Sequence, residues 1–164
     1  MIKYKPDTVQ VVFEEIPDEV TLAIEITNCP GQCVGCHSPW LRDDIGDELT
    51  KEKLFELIDA NKGITCVCFM GEGKDQETLK SLAADVHVRY PHLKTALYSG
   101  RTAVEPEYDW YFNYVKVGPY IPECGPLNVK TTNQRLYRIE AHLDDTLCKR
   151  EDITYKFWGN RGVK

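Results

Sequence analysis

Cysteine at positions 29, 33 and 36 is where this sequence concentrates its chemistry. The spacing Cys29-x3-Cys33-x2-Cys36 lets three thiolates converge on one side of a tight loop, and soft sulfur donors select zinc or iron-sulfur clusters over hard cations. Free cysteine otherwise packs as a small apolar residue. Pro30, Gly31, Gly35 and Pro39 surround the trio and leave no apolar periodicity to pack it into. A structural zinc wants four ligands, and His37 sits too close to Cys36 in sequence to share one ion comfortably, so zinc would need a distant donor such as Cys124 or Cys148. A cubane 4Fe-4S cluster on three cysteines instead leaves one iron open to a small molecule, while a ferredoxin-like electron carrier would need a fourth cysteine. Seven cysteines, an odd number, fit metal or redox chemistry in a reducing compartment better than a disulfide framework.

The elements that must hold this loop can be read on either side of it. Residues 8–14 place Val9, Val11 and Phe13 on one face, and Val20, Leu22, Ile24 and Ile26 repeat the alternation after Pro17-Asp18, which predicts a hairpin. Thr50 is the expected N-cap of a helix with Leu54, Leu57 and Ile58 on one face, stopping near Gly63. Residues 64–70 form a nearly continuous apolar run closed by Gly71-Glu72-Gly73, the pattern of a strand covered on both faces. Asp75 caps a second helix carrying Leu79, Leu82, Ala83, Val86 and Tyr90, which Pro91 ends. A strand over 93–98, a short helical stretch at 105–109 and a strand over 114–117 follow. Residues 134–139 and 153–157 are further candidate strands, with a turn at Asp144-Asp145.

Strand, helix, strand in succession predicts right-handed parallel βαβ units in one α/β domain spanning 1–164. Such units carry ligand loops at the carboxyl ends of their strands. The cysteine loop, Gly71-Glu72-Gly73, Ser99-Gly100 and Gly118-Pro119 all fall there, so four loops are expected to share one rim.

At this level the sequence takes on a family likeness. Residues 29–40, Cys-Pro-Gly-Gln-Cys-Val-Gly-Cys-His-Ser-Pro-Trp, resemble the cluster loop of radical S-adenosylmethionine enzymes. Phe69-Met70-Gly71-Glu72 is similar to that superfamily's Gly-Gly-Glu strand end. Together with Leu97-Tyr98-Ser99-Gly100, with residues 114–120 (Tyr-Val-Lys-Val-Gly-Pro-Tyr) and with residues 131–137 (Thr-Thr-Asn-Gln-Arg-Leu-Tyr), it resembles more narrowly the activating proteins of anaerobic ribonucleoside-triphosphate reductases. The resemblance implies a partial (βα) barrel, mostly parallel, with an N-terminal hairpin. It implies that Cys29, Cys33 and Cys36 hold three irons of a 4Fe-4S cluster and that S-adenosylmethionine chelates the fourth. Backbone groups of Met70, Gly71 and Glu72 would receive its amino group, Gly35, Cys36 and His37 would lie against it, and Ser99 would be a further contact. Reductive cleavage would yield methionine and a 5′-deoxyadenosyl radical that takes a hydrogen atom from a glycine of the reductase's glycyl-radical subunit, with a low-potential donor such as flavodoxin supplying electrons. Another glycyl-radical enzyme, such as pyruvate formate-lyase, is the nearest rival partner. Met70 stands where the superfamily has its first glycine, Gly35 precedes Cys36 where much of the superfamily has an aromatic, and no glycine-rich adenine motif follows, so adenine contacts stay unassigned.

The remaining candidates weigh less. Cys66 and Cys68 share a strand face and are expected to pack rather than ligate; His87, His92 and His142 are expected in solvent. Glu72 is either a base, a cofactor ligand or a loop acceptor, and Asn133-Gln134 serves either backbone groups or a site. A net charge of -6 argues against a phosphate-backbone partner, and the start of the chain lacks a signal-peptide run, while no apolar stretch is long enough for a bilayer. The expected setting is therefore cytoplasmic, with no nucleic-acid or membrane partner.

Overall fold

The computed structural model describes residues 1–29, 39–141 and 148–158. Cys33, Gly35, Cys36, His37, His142 and the expected turn at Asp144-Asp145 lie outside the described residues.

Among the described residues the strands form two sheets. Strands β1 (Lys3–Tyr4) and β4 (Asp47–Glu48) form a short antiparallel pair that sequence alternation did not reveal. The larger sheet runs in the order β2 (Gln10–Val12), β3 (Thr21–Glu25), β5 (Cys66–Met70), β6 (Lys94–Tyr98), β7 (Tyr114–Val117), β8 (Arg135–Ala141) and β9 (Cys148–Asp152). Pairing is parallel from β3 through β5 and β6 to β7, and antiparallel at both flanks, where β2 forms the expected hairpin with β3 and β8 and β9 extend the far edge. The chain is thus mixed α/β with a parallel centre. Phe13 departs from the alternation: the strand ends at Val12, and the ring is 68% exposed.

Helices α1 (Lys51–Asp59) and α2 (Gln76–Arg89) are the crossovers of the first two βαβ units. Each begins where its cap residue satisfies an orphan amide: Thr50 Oγ1 accepts from the Lys53 N–H at 3.0 Å, and the Asp75 carboxylate from the Thr78 N–H at 3.1 Å. Leu54, Ile58, Leu79, Leu82, Ala83 and Val86 pack with Val67, Phe69, Leu97 and Val115 on one sheet face. Each fully buried leucine or phenylalanine there contributes about 1.5–3 kcal/mol. The opposite face carries Cys66, Cys68, Ala96, Tyr114 and Leu136 against Ile16, Ile153 and Phe157. Cys66 and Cys68 are fully buried, and burial pushes both thiols well above the ordinary cysteine value, so they pack as expected and are inert.

Two further expectations are corrected. Residues 153–157 do not form a strand. The Asp152 carboxylate accepts from both the Thr154 N–H at 3.0 Å and its hydroxyl at 2.6 Å, and this turns the chain into a 3-10 helix, Thr154–Phe157. His87 is half-buried rather than in solvent. Because the Thr95 hydroxyl gives its proton to the Tyr111 carbonyl at 2.7 Å, His87 Nε2 must donate to Thr95 Oγ1, 2.9 Å away. Among the described residues no helix is long and apolar enough to cross a membrane.

The amino ends of the parallel strands are gathered by one carboxylate. Glu19, buried just ahead of β3, accepts from Thr65 Oγ1 at 2.6 Å, Lys94 Nζ at 2.8 Å and Tyr114 Oη at 2.6 Å, groups at the entrances to β5, β6 and β7. Burial alone would raise its pKa, but the hydrogen bonds from Lys94, Thr65 and Tyr114 outweigh it and hold the carboxyl below the usual range. A depressed folded-state pKa contributes stability above the unfolded value, near about 4.3, and loses it as pH falls through the folded one. Glu19→Gln is therefore expected to lower unfolding stability at pH 7 by about 1.5–3 kcal/mol. Its deficit should shrink in denaturant titrations run below about pH 4.

Candidate functional site

Parallel register lines up one residue from each central strand. Glu25 pairs with Met70, Met70 with Tyr98, and Tyr98 with Lys116, a row across β3, β5, β6 and β7 just before their carboxyl ends. All four residues line a cavity of about 440 Å³. Cys29, Gly71, Gly100 and Gly118 line it too, so each of the four loops expected to share a rim contributes at least one residue to one chamber. Two of the glycines are conformationally required. Gly71 has φ +116°, and a Cβ on it would come within 3.3 Å of the Ile26 carbonyl; Gly118 has φ +105° and lies against Gln134.

The cysteine segment leaves and rejoins the described chain at this rim. The Asn28 N–H donates to the Asp43 carbonyl at 3.1 Å and the Cys29 N–H to the Leu41 carbonyl at 2.7 Å, while Thr27 Oγ1 holds the Ile45 carbonyl at 2.7 Å. These bonds fasten both ends of the segment side by side. Cys29 itself is half-buried and faces the cavity with Leu41 and Arg42.

Glu72 and Ser99 are buried beside the cavity rather than in its lining. The Glu72 carboxylate accepts from Arg101 Nε at 3.0 Å and Nη2 at 2.8 Å, from Tyr108 Oη at 3.0 Å, and from the Ser99 hydroxyl. Arg101 also pairs with Glu105, and its guanidinium holds that carboxyl at about 2; through its carbonyl it accepts from the Gly118 N–H at 2.6 Å. Burial and the Glu72 charge push the Tyr108 hydroxyl up, so it stays a donor. Of the three roles open to Glu72, its side chain fills that of loop acceptor, tying the loops after β5, β6 and β7 into one rigid rim.

Register, rather than motif, identifies the groups that sequence reading passed over. Lys116 is buried, its ammonium donating to the Gly118 carbonyl at 3.1 Å and lying 5.5 Å from the centre of the Tyr98 ring. It occupies the same face as Met70 and Tyr98, a signal present in the period-two pattern once strand phase is known. Asn133 and Gln134 divide their roles: Asn133 Nδ2 donates to the Pro119 carbonyl at 2.9 Å, whereas Gln134 lines the cavity. Cys124 is not among the residues lining it.

Removing the Glu72 acceptor strands four donor groups on three buried or half-buried residues, Ser99, Arg101 and Tyr108. Glu72→Ala should lower stability on the order of 2 kcal/mol in denaturant unfolding. An unchanged midpoint would show that the rim does not depend on this carboxylate.

Compared with protein-family models, curated proteins and solved structures, the chain finds no match in any of the three.

Proposed function

We propose that this protein is a glycyl-radical-generating activase. It reductively cleaves S-adenosylmethionine and abstracts hydrogen from a glycine of anaerobic ribonucleoside-triphosphate reductase, in the cytoplasm, with electrons from a low-potential donor such as flavodoxin. The observation that carries this reading is the convergence of Cys29, Gly71, Gly100 and Gly118 on one chamber at the carboxyl edge of parallel strands, the position at which such sheets bind ligands. In the same reading, β3, β5, β6 and β7 are the parallel portion of a partial barrel whose concave face carries Met70, Tyr98 and Lys116.

The residues present suit a cluster. Cys29 offers a soft donor half-buried at the chamber, and its backbone is fixed at the neck of the segment that also carries Cys33 and Cys36. These three thiolates would hold the irons, and such a cluster, when bound, supplies the electron that splits the sulfonium into methionine and a 5′-deoxyadenosyl radical. The chain's own residues do the rest. Gly71 lets backbone groups of the Met70–Glu72 turn approach a ligand without a side chain in the way, with Gly35 and His37 placed by sequence next to the third thiol. Lys116 supplies a buried positive charge suited to a ligand carboxylate. The apolar lining from Ile26, Leu41, Leu127 and Phe157 gives a ligand walls of low dielectric, where its polar contacts are strengthened.

Anaerobic protein loaded with iron and sulfide and given dithionite is expected to convert S-adenosylmethionine to 5′-deoxyadenosine, measured by chromatography. Cys33→Ala should reduce that yield at least about a hundredfold while leaving thermal unfolding unchanged, because the cysteine segment leaves from the rim and not from the core. Tightly held zinc with no 5′-deoxyadenosine would replace this reading with a zinc-stabilised binding module. Cleavage without glycyl-radical formation in the reductase would point to another partner, such as pyruvate formate-lyase.

A further inference from the structure

Gln134 has no task in the reading above. It is 5% exposed and lines the cavity, yet among the described residues its carboxamide has no hydrogen-bond partner; only its backbone N–H is engaged, with Thr132 Oγ1 at 3.1 Å. Its amide nitrogen and oxygen are not sealed inside the protein but open to the chamber, where a bound group can make the hydrogen bonds that the protein does not. A carboxamide carried on an almost wholly buried residue and open to a chamber is suited to bind what enters the chamber.

Its placement is built. A Cβ on Gly118 would meet Gln134 Cα at 3.0 Å and Cγ at 3.4 Å, so the glutamine stem crosses β7's carboxyl end over a glycine. Asn133 anchors the preceding residue to Pro119, which fixes the approach of the chain to β8. Strand order then puts Gln134 and Cys29 at opposite ends of the rim, with Gly71, Gly100 and Gly118 between them.

Two features narrow the ligand. A carboxamide presents a donor and an acceptor side by side, the complement of a ring edge with an exocyclic amine next to a ring nitrogen, as adenine has. Tyr120, Pro126, Leu127 and Phe157 line the same chamber and offer flat apolar surface to a heteroaromatic ring. Resting on the function proposed above, we propose that Gln134 reads the adenine edge of bound S-adenosylmethionine, its oxygen accepting from the N6 amine and its amide donating to N7. It is a specificity residue, and it acts at the end of the chamber remote from the cysteines.

The test is equilibrium dialysis of the anaerobic, cluster-loaded full chain against S-adenosylhomocysteine and against S-inosylhomocysteine, in which a carbonyl replaces the N6 amine. The wild-type protein is expected to favour the adenosine compound by at least about tenfold. Gln134→Leu should lose about that factor for the adenosine compound and erase the preference, with no fall in the thermal midpoint, because no protein partner is left unpaired. Equal binding by wild type and Gln134→Leu overturns the inference and leaves the activase reading standing. An equal loss for both compounds together with a lower midpoint overturns it in favour of a packing role, as does an unchanged base preference in Gln134→Leu. A wild-type protein that binds neither compound overturns the inference together with the reading on which it rests.

Discussion

Parallel pairing in a fixed register, Glu25 to Met70 to Tyr98 to Lys116, is the constraint on which the candidate site depends. Because the four strands run the same way, every loop that leaves a carboxyl end is delivered to one edge. Because side chains alternate, the aligned positions all face away from α1 and α2. A slip of one residue in any strand would turn its member of the row toward the helices and replace it with a core residue such as Phe69 or Leu97. The burial of Val67, Phe69, Leu97 and Val115 against the helices therefore fixes where the cavity lies as well as holding the sheet together.

Each edge of that sheet is fastened by one buried carboxylate. Glu19 gathers groups at the entrances to β5, β6 and β7. Glu72 does the corresponding work at the exits, holding Arg101, Tyr108 and Ser99 while Arg101 reaches on to Gly118. With both edges fixed, the chamber between Cys29 and Gln134 keeps its shape, and preorganisation of that kind lets binding free energy go into orienting a ligand instead of ordering loops.

The parts of this architecture that were legible in the sequence are those set by local rules. Thr50 and Asp75 announced their helices through cap chemistry, the apolar run of β5 announced a central strand, and Gly71, Gly100 and Gly118 marked the strand exits that form the rim. What escaped depended on partners distant in sequence. Phe13 continued an alternation that its strand did not, because the hairpin pairing stops at Val12. Residues 153–157 have strand-like composition, yet Asp152 diverts them by capping Thr154. Glu72 sat in a motif that suggested several roles, and only Arg101 and Tyr108, about 30 residues away, show which its side chain performs. Lys116 and Gln134 could not be placed in one chamber until the phases of β7 and β8 were known.

The central claim is that the chamber beside Cys29 holds a cluster with an open iron and an S-adenosylmethionine molecule bound to it. Electron paramagnetic resonance of the anaerobically reconstituted, dithionite-reduced protein, recorded with and without S-adenosylmethionine, tests it most directly. The expected result is a reduced cubane signal whose g-values change when the cofactor is added. A protein without that signal that carries bound zinc, or a cubane signal indifferent to the cofactor, would contradict it.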